Sequence, residues 1–282
     1  MKSLLCLGFG YCAQETARQL EGLPYHISAT ARNAAPDRIV YQSGQVSDAL
    51  QAKIATATHI LISVSPDAMG CPVYRDIASL IRASQSLEWL GYLSTTGVYG
   101  DYKGVWVNEL SACHSQEPRS IARILAEKQW LSLHEQHGIA THIFRLSGIY
   151  GARRNVFTSL RDGSAKRIDA GAQVFSRIHV EDIARALIAS MNNPLSGEIF
   201  NIADDEPASS ADVMTYGAKL LKIDPPPIIA LAHANLSDMA QSFYRSNRRV
   251  DASKIKQAYA LSWRYPTYRE GLLALVDDTQ PR

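Results

Sequence analysis

The first residues of the chain combine an apolar strand, a glycine-rich turn and the start of a helix. Residues 4–7 are apolar, and the turn that follows has the pattern Gly8-x-Gly10-x-x-Ala13. Gly8 permits a tight turn, Gly10 leaves room for a pyrophosphate to approach the backbone, and the small Ala13 lets the helix pack closely on the strand. An ordinary strand-to-helix turn is the alternative. Because free backbone N–H groups and the positive end of the helix dipole meet here, the pattern favours a dinucleotide site.

Composition excludes several other classes of protein. A net charge of +2 over 282 residues offers no general field for nucleic acid or an anionic membrane, and no apolar run approaches the roughly 20 residues of a membrane span. The four cysteines have neither Cys-x-x-Cys spacing nor a histidine at metal-ligand spacing, so no metal is predicted. Cys12, in the first helical turn, is either reactive or a buried filler, and we favour the filler. These features predict a reduced, cytoplasmic protein.

Strands and helices alternate through the first half of the chain. This alternation predicts an α/β fold with a doubly wound parallel sheet, a Rossmann fold. The dinucleotide-binding domain is predicted over residues 1–150, together with about 178–203. A smaller, C-terminal substrate-binding lobe is predicted over 151–282. The predicted strands are 3–7, 25–31, 39–41, 59–64, 89–94, 140–146 and 198–202, and the predicted helices are 12–20, 46–57, 73–85, 116–137, 180–191 and 210–221.

The end of the second predicted strand bears on which dinucleotide binds. In this fold an acidic residue there binds the adenosine ribose, whereas an arginine accepts a 2′-phosphate. Residues 29–33 read Ala-Thr-Ala-Arg-Asn, with no acid and with Arg32 at a suitable distance from Gly8. Arg32 is otherwise simply an exposed charge at a strand end. The sequence therefore favours NADP over NAD, with NAD as the alternative.

A second motif, at residues 93–100, reads Leu-Ser-Thr-Thr-Gly-Val-Tyr-Gly and resembles the Ser-(Ser/Thr)-x-x-Val-Tyr-Gly segment of extended short-chain dehydrogenases. Similar segments follow in the same order at 144–151, 178–184, 197–202 and 249–254. With these motifs the whole chain resembles the NAD(P)-dependent epimerase/dehydratase family of nucleotide-sugar enzymes, in an atypical form. The resemblance implies a nicotinamide cofactor, a nucleotide-sugar substrate and a homodimer.

The resemblance fails at the family's catalytic Tyr-x-x-x-Lys pair. If Glu127 is matched to the family glutamate, Arg119 stands at the tyrosine position and Arg123 at the lysine position, and no tyrosine occurs between residues 103 and 149. An arginine does not release its proton, so Arg119 cannot replace the tyrosine. Arg123 is still suited to a ribose or a phosphate. The string Tyr99-Gly-Asp-Tyr-Lys103 lies in a loop and is discounted, because the pair needs helical spacing.

Other positions limit the reaction. The resemblance implies that Thr95 hydrogen-bonds the reacting oxygen of the substrate, as the one catalytic candidate that remains. The Asp-Glu pair of dehydratases is replaced by Thr96-Gly97, which argues against dehydration. The predicted cofactor-binding residues are Gly8, Phe9, Gly10, Tyr11, Ala13, Thr30, Arg32, Val64, Ser65 and Arg123. The predicted substrate-binding residues are Thr96, Tyr99, Ser147, Arg153 and Arg154, and the Tyr99 ring either frames the pocket or simply fills it.

Residues 145–177 carry seven cations and two acids on a nearly neutral chain. Most of this run is interpreted as a solvated face, but arginines also suit phosphate, so an anionic substrate is predicted. His179 is predicted to pack or to hydrogen-bond rather than to catalyse.

Two functions remain open. One is an NADP-dependent oxidoreductase or epimerase acting on a phosphorylated or nucleotide-linked sugar, and the other is a catalytically silent NADP-binding sensor or scaffold.

Overall fold

A computed structural model describes residues 1–278 of the chain. The strands, numbered in chain order, are β1 (Lys2–Leu7), β2 (Tyr25–Ala31), β3 (Arg38–Val40), β4 (His59–Ile62), β5 (Trp89–Thr95), β6 (Trp106–Val107), β7 (Thr141–Leu146), β8 (Gly148–Tyr150), β9 (Arg167–Asp169), β10 (Arg177–His179), β11 (Ile199–Ile202), β12 (Ile228–Ala230) and β13 (Arg249–Val250). The helices are α1 (Tyr11–Gln19), α2 (Asp48–Thr56), α3 (Pro72–Ala83), α4 (Pro118–His137), α5 (Phe157–Arg161), α6 (Val180–Asn192), α7 (Ser210–Leu221), α8 (Asp238–Tyr244), α9 (Ser253–Ala258) and α10 (Tyr268–Asp278). Short 3-10 helices lie at Thr96–Tyr99 and Leu231–His233.

Seven parallel strands form the main sheet, in the order β11-β7-β5-β4-β1-β2-β3. The strand order reverses between β1 and β4, because β2 and β3 follow on one side of β1, whereas β5, β7 and β11 follow on the far side of β4. In open sheets of this kind, ligands bind in the crevice outside the carboxyl ends of the strands at such a reversal. Every residue of β4 and β7 is buried, as expected of central parallel strands covered on both faces. The predicted doubly wound parallel sheet is confirmed.

Helices cover both faces of this sheet and bury two apolar cores. On one face α1 and α6 pack against each other and over Phe144 and Phe200. On the other face α2, α3 and α4 bury residues such as Ile54, Ile77 and Trp130. Burial of this apolar surface, at roughly 25 cal/mol per Å², is the main force that holds the layers together. It also fixes the strand ends on which the cleft is built.

A third apolar cluster lies outside the sheet, among α5, α7 and α10. It includes Tyr150, Phe157, Met214 and Leu272. Two two-stranded parallel pairs, β8–β10 and β9–β12, lie beside it, while a third pair, β6–β13, packs into the core of α1 and α6 through Val107 and Val250. Strand β11 returns to the main sheet beside β7, so a segment beyond residue 150 completes that sheet. The predicted boundary between domain and lobe stays a prediction.

Element bounds differ from the sequence predictions for local reasons. Helix α4 begins at Pro118 rather than at residue 116, because proline lacks an N–H and suits the first helical position. Strand β4 ends at Ile62 rather than at residue 64, and the Ser63 hydroxyl donates a hydrogen bond to the carbonyl of Gly8 (3.0 Å). Within residues 1–278, no helix combines the length and the apolar character needed to cross a membrane.

Candidate functional site

The glycine turn after β1 is held open by its neighbours. Gly8 has φ +87°, a conformation that favours glycine, and its N–H donates to Oγ1 of Thr30 (2.9 Å). Gly10 is the N-cap of α1 and has no side-chain cap. A Cβ placed on Gly10 would meet no atom within 4 Å apart from those of its chain neighbours, so the space above the helix start is free. The turn therefore has both the room and the free N–H groups that a pyrophosphate needs.

A cleft of about 1220 Å³ opens from this turn along the carboxyl ends of β1, β4, β5 and β7. It lies where the strand order reverses, so the position expected of a ligand site in this fold is met. The structure brings ten of the residues singled out from the sequence to its wall: Gly8, Gly10, Tyr11, Ser65, Thr95, Thr96, Arg119, Arg123, Ser147 and Arg154.

Other predicted site residues lie outside the cleft wall. Ala13 is fully buried under α1, where it permits the close packing predicted for it. Arg153 donates to Oε1 of Gln14 (2.7 Å), and its guanidinium carbon lies 4.9 Å from the centroid of the Tyr11 ring. Arg153 thus joins the segment after β8 to α1. Phe9, Thr30 and Val64 adjoin Gly8 without lining the cleft, and Arg32, which follows β2, does not line the cleft either.

Tyr99 faces the protein interior. Its ring is completely buried, and its hydroxyl donates to Oδ1 of Asn201 (2.7 Å) and accepts from Nη1 of Arg145 (3.0 Å). Burial raises the pKa of this tyrosine to about 12. The sequence left two readings of Tyr99 open, a substrate-binding residue that frames the pocket or a ring that fills it, and the buried position behind the cleft agrees with the second.

The wall between β5 and α4 carries two hydroxyl groups. Oγ1 of Thr95 accepts from the N–H of Gly97 (3.1 Å). A Cβ built on Gly97 would lie 3.1 Å from Oγ of Ser120 and 3.3 Å from Oγ1 of Thr95, so the two hydroxyls flank the same glycine. Ser120 lines the cleft on α4 and was missed in the sequence, because the match to the family motif drew attention to its neighbour Arg119.

Arg123, which the sequence comparison matched to the family's lysine, reaches the end of β5. Its Nη1 donates to the carbonyl of Leu93 (2.6 Å) and to the hydroxyl of Tyr92 (3.0 Å). Tyr92 is buried, and burial raises the pKa of its hydroxyl, so the phenol stays neutral and accepts this bond. A fixed cation therefore stands at the cleft wall, one turn of α4 beyond Ser120.

Three further arginines, which no sequence motif identifies as ligand residues, line the cleft: Arg177, Arg245 and Arg248. Arg248 donates from Nη1 to the carbonyl of Gly100 (2.9 Å), while its buried Nε has no hydrogen-bond partner among the described residues. Burial lowers the pKa of Arg248 to about 10. With Arg119, Arg123 and Arg154 these make six arginines in one cleft, against the acids Glu117 and Asp238.

The cationic run at 145–177 does not act as one unit. Arg154 and Arg177 line the cleft, whereas Arg145 is buried in an ion pair with Glu127 (2.7 Å). Ser147, at the end of β7, has a buried hydroxyl with no hydrogen-bond partner among the described residues, although the residue lines the cleft. A buried polar atom without a partner is uncommon and marks a place where a ligand or water is expected to bind.

His179 and Cys12 have the structural positions predicted for them. Nδ1 of His179 accepts from the N–H of Glu181 (3.2 Å), and its ring lies against those of Tyr150 and Tyr265. Burial lowers the pKa of His179 to about 4. Cys12 is buried, which raises the pKa of its thiol to about 12 and removes the reactive thiolate.

Comparison with known proteins places the chain among others of this fold. A model of the NAD dependent epimerase/dehydratase family matches residues 73–203. Protein YeeZ of Escherichia coli K12 is 28% identical over 178 residues, which are 62% of this chain and 58% of YeeZ. The chain therefore spans less than two thirds of this curated relative.

Two solved structures extend the likeness to the full chain. A conserved protein of unknown function from Silicibacter pomeroyi is 38% identical, covers 100% of both chains and superposes with a TM-score of 0.89. The dTDP-glucose 4,6-dehydratase of Bacillus anthracis, solved in complex with NAD, is 18% identical, covers 98% of this chain and 96% of its own, and has a TM-score of 0.79. At that identity the dehydratase shows the fold alone.

Proposed function

The chain belongs to the NAD-dependent epimerase/dehydratase family, and from this premise we propose that it binds NADP and acts on a phosphorylated or nucleotide-linked sugar. The observation that carries the proposal is the arginine-lined cleft that begins at the glycine turn. One end of the cleft fits a dinucleotide and the rest fits a second anion. The fold itself is compatible with many reactions, so the argument depends on the site.

The cofactor end of the cleft fits a nicotinamide dinucleotide. The free space above Gly10 lies at the start of α1, where backbone N–H groups and the helix dipole favour a diphosphate. No acidic residue occurs between positions 22 and 36, and Arg32 follows β2. An acid at the end of the second strand would repel a 2′-phosphate, so its absence supports NADP over NAD.

The reacting end lies between β5 and α4. When bound, a nicotinamide supplies or accepts hydride, and the protein must hold the oxygen of the substrate beside it. The hydroxyls of Thr95 and Ser120 flank Gly97 on the cleft wall, and both suit hydrogen bonds to that oxygen. Arg123, fixed by the carbonyl of Leu93, adds positive charge that stabilises negative charge developing on it.

The substrate end is suited to an anion. Arg177, Arg245 and Arg248 come from β10 and from the segment before β13, and they face a shared space with Arg154. The planar guanidinium group binds phosphate oxygens through two parallel N–H groups. The unpartnered Nε of Arg248 gives this end one buried donor that a phosphate oxygen would satisfy.

A second candidate function has its own supporting observation. In the two α4 positions where the family has its acid–base pair, this chain has Arg119 and Arg123, and a guanidinium does not release a proton in proteins. A silent NADP-binding sensor or scaffold would keep the cofactor end and lose turnover. Loss of an acid–base group typically slows a reaction about 10²- to 10⁴-fold, which still allows a slow enzyme.

Calorimetric titration with NADPH and NADH, followed by a turnover assay, separates the two candidates. The protein loaded with NADPH or NADP is mixed with UDP-glucose or dTDP-glucose for wild type, Thr95→Ala and Thr56→Ala. The absorbance of the reduced nicotinamide reports net oxidation or reduction, and chromatography of the sugar nucleotides reports epimerisation, which returns the hydride and leaves that absorbance unchanged. Thr56, exposed on α2, serves as the control. Turnover that falls at least about 100-fold in Thr95→Ala alone, with NADPH affinity unchanged, supports the enzyme. Tight NADPH binding without turnover supports the sensor, and binding of neither dinucleotide contradicts both.

A further inference from the structure

A second arginine, Arg38, stands beside the glycine turn. Strand β3 lies parallel to β2, with Arg38 opposite Ala29. From there the Arg38 side chain reaches over the turn, and its guanidinium carbon lies 4.1 Å from the centroid of the Phe9 ring. Phe9 is the residue between Gly8 and Gly10, so this cation rests directly on the predicted dinucleotide loop.

Contacts on both sides hold this arrangement in place. Nη1 of Arg38 donates to the carbonyl of Asp37 (3.0 Å), and the carbonyl of Phe9 accepts from Nε2 of Gln14 (2.7 Å). The half-buried Phe9 ring packs against the core beneath α1. The ring quadrupole of Phe9 attracts the guanidinium cation, which favours this single orientation. Nε and Nη2 of Arg38 make no hydrogen bond to the described residues.

Arg32, the arginine singled out in the sequence, is placed differently. Its side chain is exposed and has no hydrogen bond, ion pair or ring contact among the described residues. Its carbonyl accepts from Nε2 of Gln42 (3.2 Å), which ties the end of β2 to the segment that follows β3. The backbone at Arg32 is therefore held, while its guanidinium must be ordered when a ligand binds.

We propose that Arg38, more than Arg32, selects NADP over NAD by binding the 2′-phosphate with the guanidinium group that Phe9 supports. This inference rests on the proposed function, because it assumes that the glycine turn binds NADP. A side chain that is already ordered loses less conformational entropy on binding, so its contacts contribute more to affinity. The N–H groups of Arg38 that face no protein acceptor match the oxygens of a phosphate dianion.

The test compares three arginine-to-leucine variants, each of which removes one positive charge and keeps an aliphatic side chain. Calorimetry gives the dissociation constants for NADPH and NADH of wild type, Arg38→Leu, Arg32→Leu and Arg82→Leu. Arg82, exposed in the last turn of α3 and outside the cleft, controls for the change in net charge. Thermal unfolding of each variant checks that the fold is intact.

We expect Arg38→Leu to weaken NADPH about 10- to 100-fold, with NADH changed less than about threefold, because a charged hydrogen bond to phosphate is lost. Arg32→Leu should weaken NADPH less than about tenfold, and Arg82→Leu should change neither ligand. Phe9→Leu, which removes the ring and keeps the charge, should give a loss between those of Arg38→Leu and the control.

Two results would overturn parts of this argument separately. If wild type prefers NADPH and Arg38→Leu retains that preference while Arg32→Leu loses it, Arg38 is not the determinant and the proposed function stands. If wild type binds neither dinucleotide, or binds NADH as tightly as NADPH, the NADP assignment itself fails.

Discussion

Glu127 and Arg145 form a buried ion pair directly behind the cleft wall. Oε2 of Glu127 accepts from Nη2 of Arg145 at 2.7 Å, and the Nε of Arg145 donates to the same carboxylate (3.1 Å). The hydroxyl of Ser94 donates to Glu127 (2.5 Å), and Nη1 of Arg145 donates to the hydroxyl of Tyr99 (3.0 Å). The network joins α4 to β5 and β7. It therefore holds Thr95, the residue after Ser94, in a fixed position relative to α4.

Removing one partner of this pair should destabilise the protein strongly. Glu127→Ala leaves the Arg145 guanidinium buried without its carboxylate, which typically costs about 3–5 kcal/mol of unfolding free energy. Urea denaturation measures the loss. Glu117→Ala is the matched control, since Glu117 pairs with the exposed Arg245 at 3.4 Å and such surface pairs contribute about 0–1 kcal/mol. Equal losses in the two variants would contradict the role given to the buried pair.

Gly10→Asp should separate binding from stability. An aspartate is a favourable N-cap, and the space at Gly10 is open, so the unfolding free energy should be unchanged or higher. The new carboxylate occupies the space assigned to the pyrophosphate, and NADPH affinity should fall at least about 100-fold, as for an unpaired like charge. Ser47→Asp places the same acid at the N-cap of α2, outside the cleft, and should bind NADPH normally. Calorimetry and thermal unfolding give both quantities, and unchanged affinity in Gly10→Asp would place the dinucleotide elsewhere.

Stability should depend on the protonation of His142. This residue is fully buried in β7, its Nδ1 lies 3.2 Å from the carbonyl of Leu90, and burial lowers its pKa to about 4. Because the folded pKa lies below the ordinary value, the unfolded state takes up the proton first. The contribution is complete above about pH 6.5 and is lost as the pH falls towards 4, by roughly 2 kcal/mol between pH 7.5 and 4.5.

The comparison of variants isolates this contribution from other groups. Burial also lowers the pKa of His179 to about 4, so His179 likewise reduces stability as the pH falls. Burial raises the pKa of Asp204 to about 8, so Asp204 has the opposite effect on stability. Urea midpoints at the two pH values are measured for wild type, His142→Phe and His137→Gln. His142→Phe should lose less stability on acidification than wild type. The exposed His137 serves as the control, and equal slopes for all three proteins would refute the assignment.

Arg248→Leu should weaken the binding of a free nucleoside diphosphate. With UDP as the probe and NADPH already bound, we expect an affinity loss of about 10- to 100-fold, because a buried charged donor is removed. Arg245→Leu removes an exposed arginine from the same cleft and should cost less than about fivefold, as salt-screened surface charges do. Calorimetry at two salt concentrations measures both. UDP binding that is equal in the two variants would remove Arg248 from the anion site.

Much of the sheet could be predicted because each strand carries its own signal. Strand β2 was predicted with the bounds observed, and β1, β4 and β5 within two residues at each end. Central parallel strands read as apolar runs, and the glycine turn reads as a strand followed by a helix start. The family motifs predicted Thr95, Arg123 and Ser147 as site residues, and all three line the cleft.

The sequence alone determined the parallel sheet and the glycine turn, because both are written in residues that are neighbours along the chain. Only the tertiary structure decided which cations share the cleft, since Arg123, Arg177 and Arg248 come from separate segments that the fold brings together. The tertiary structure alone also places the Tyr99 hydroxyl at the buried Arg145 and the Arg38 guanidinium over the Phe9 ring. Such contacts depend on the order of the strands and on how the helices pack against the sheet, and no local sequence pattern encodes either. Side chains that are distant in the sequence therefore come into contact only when the helices and the sheet pack together.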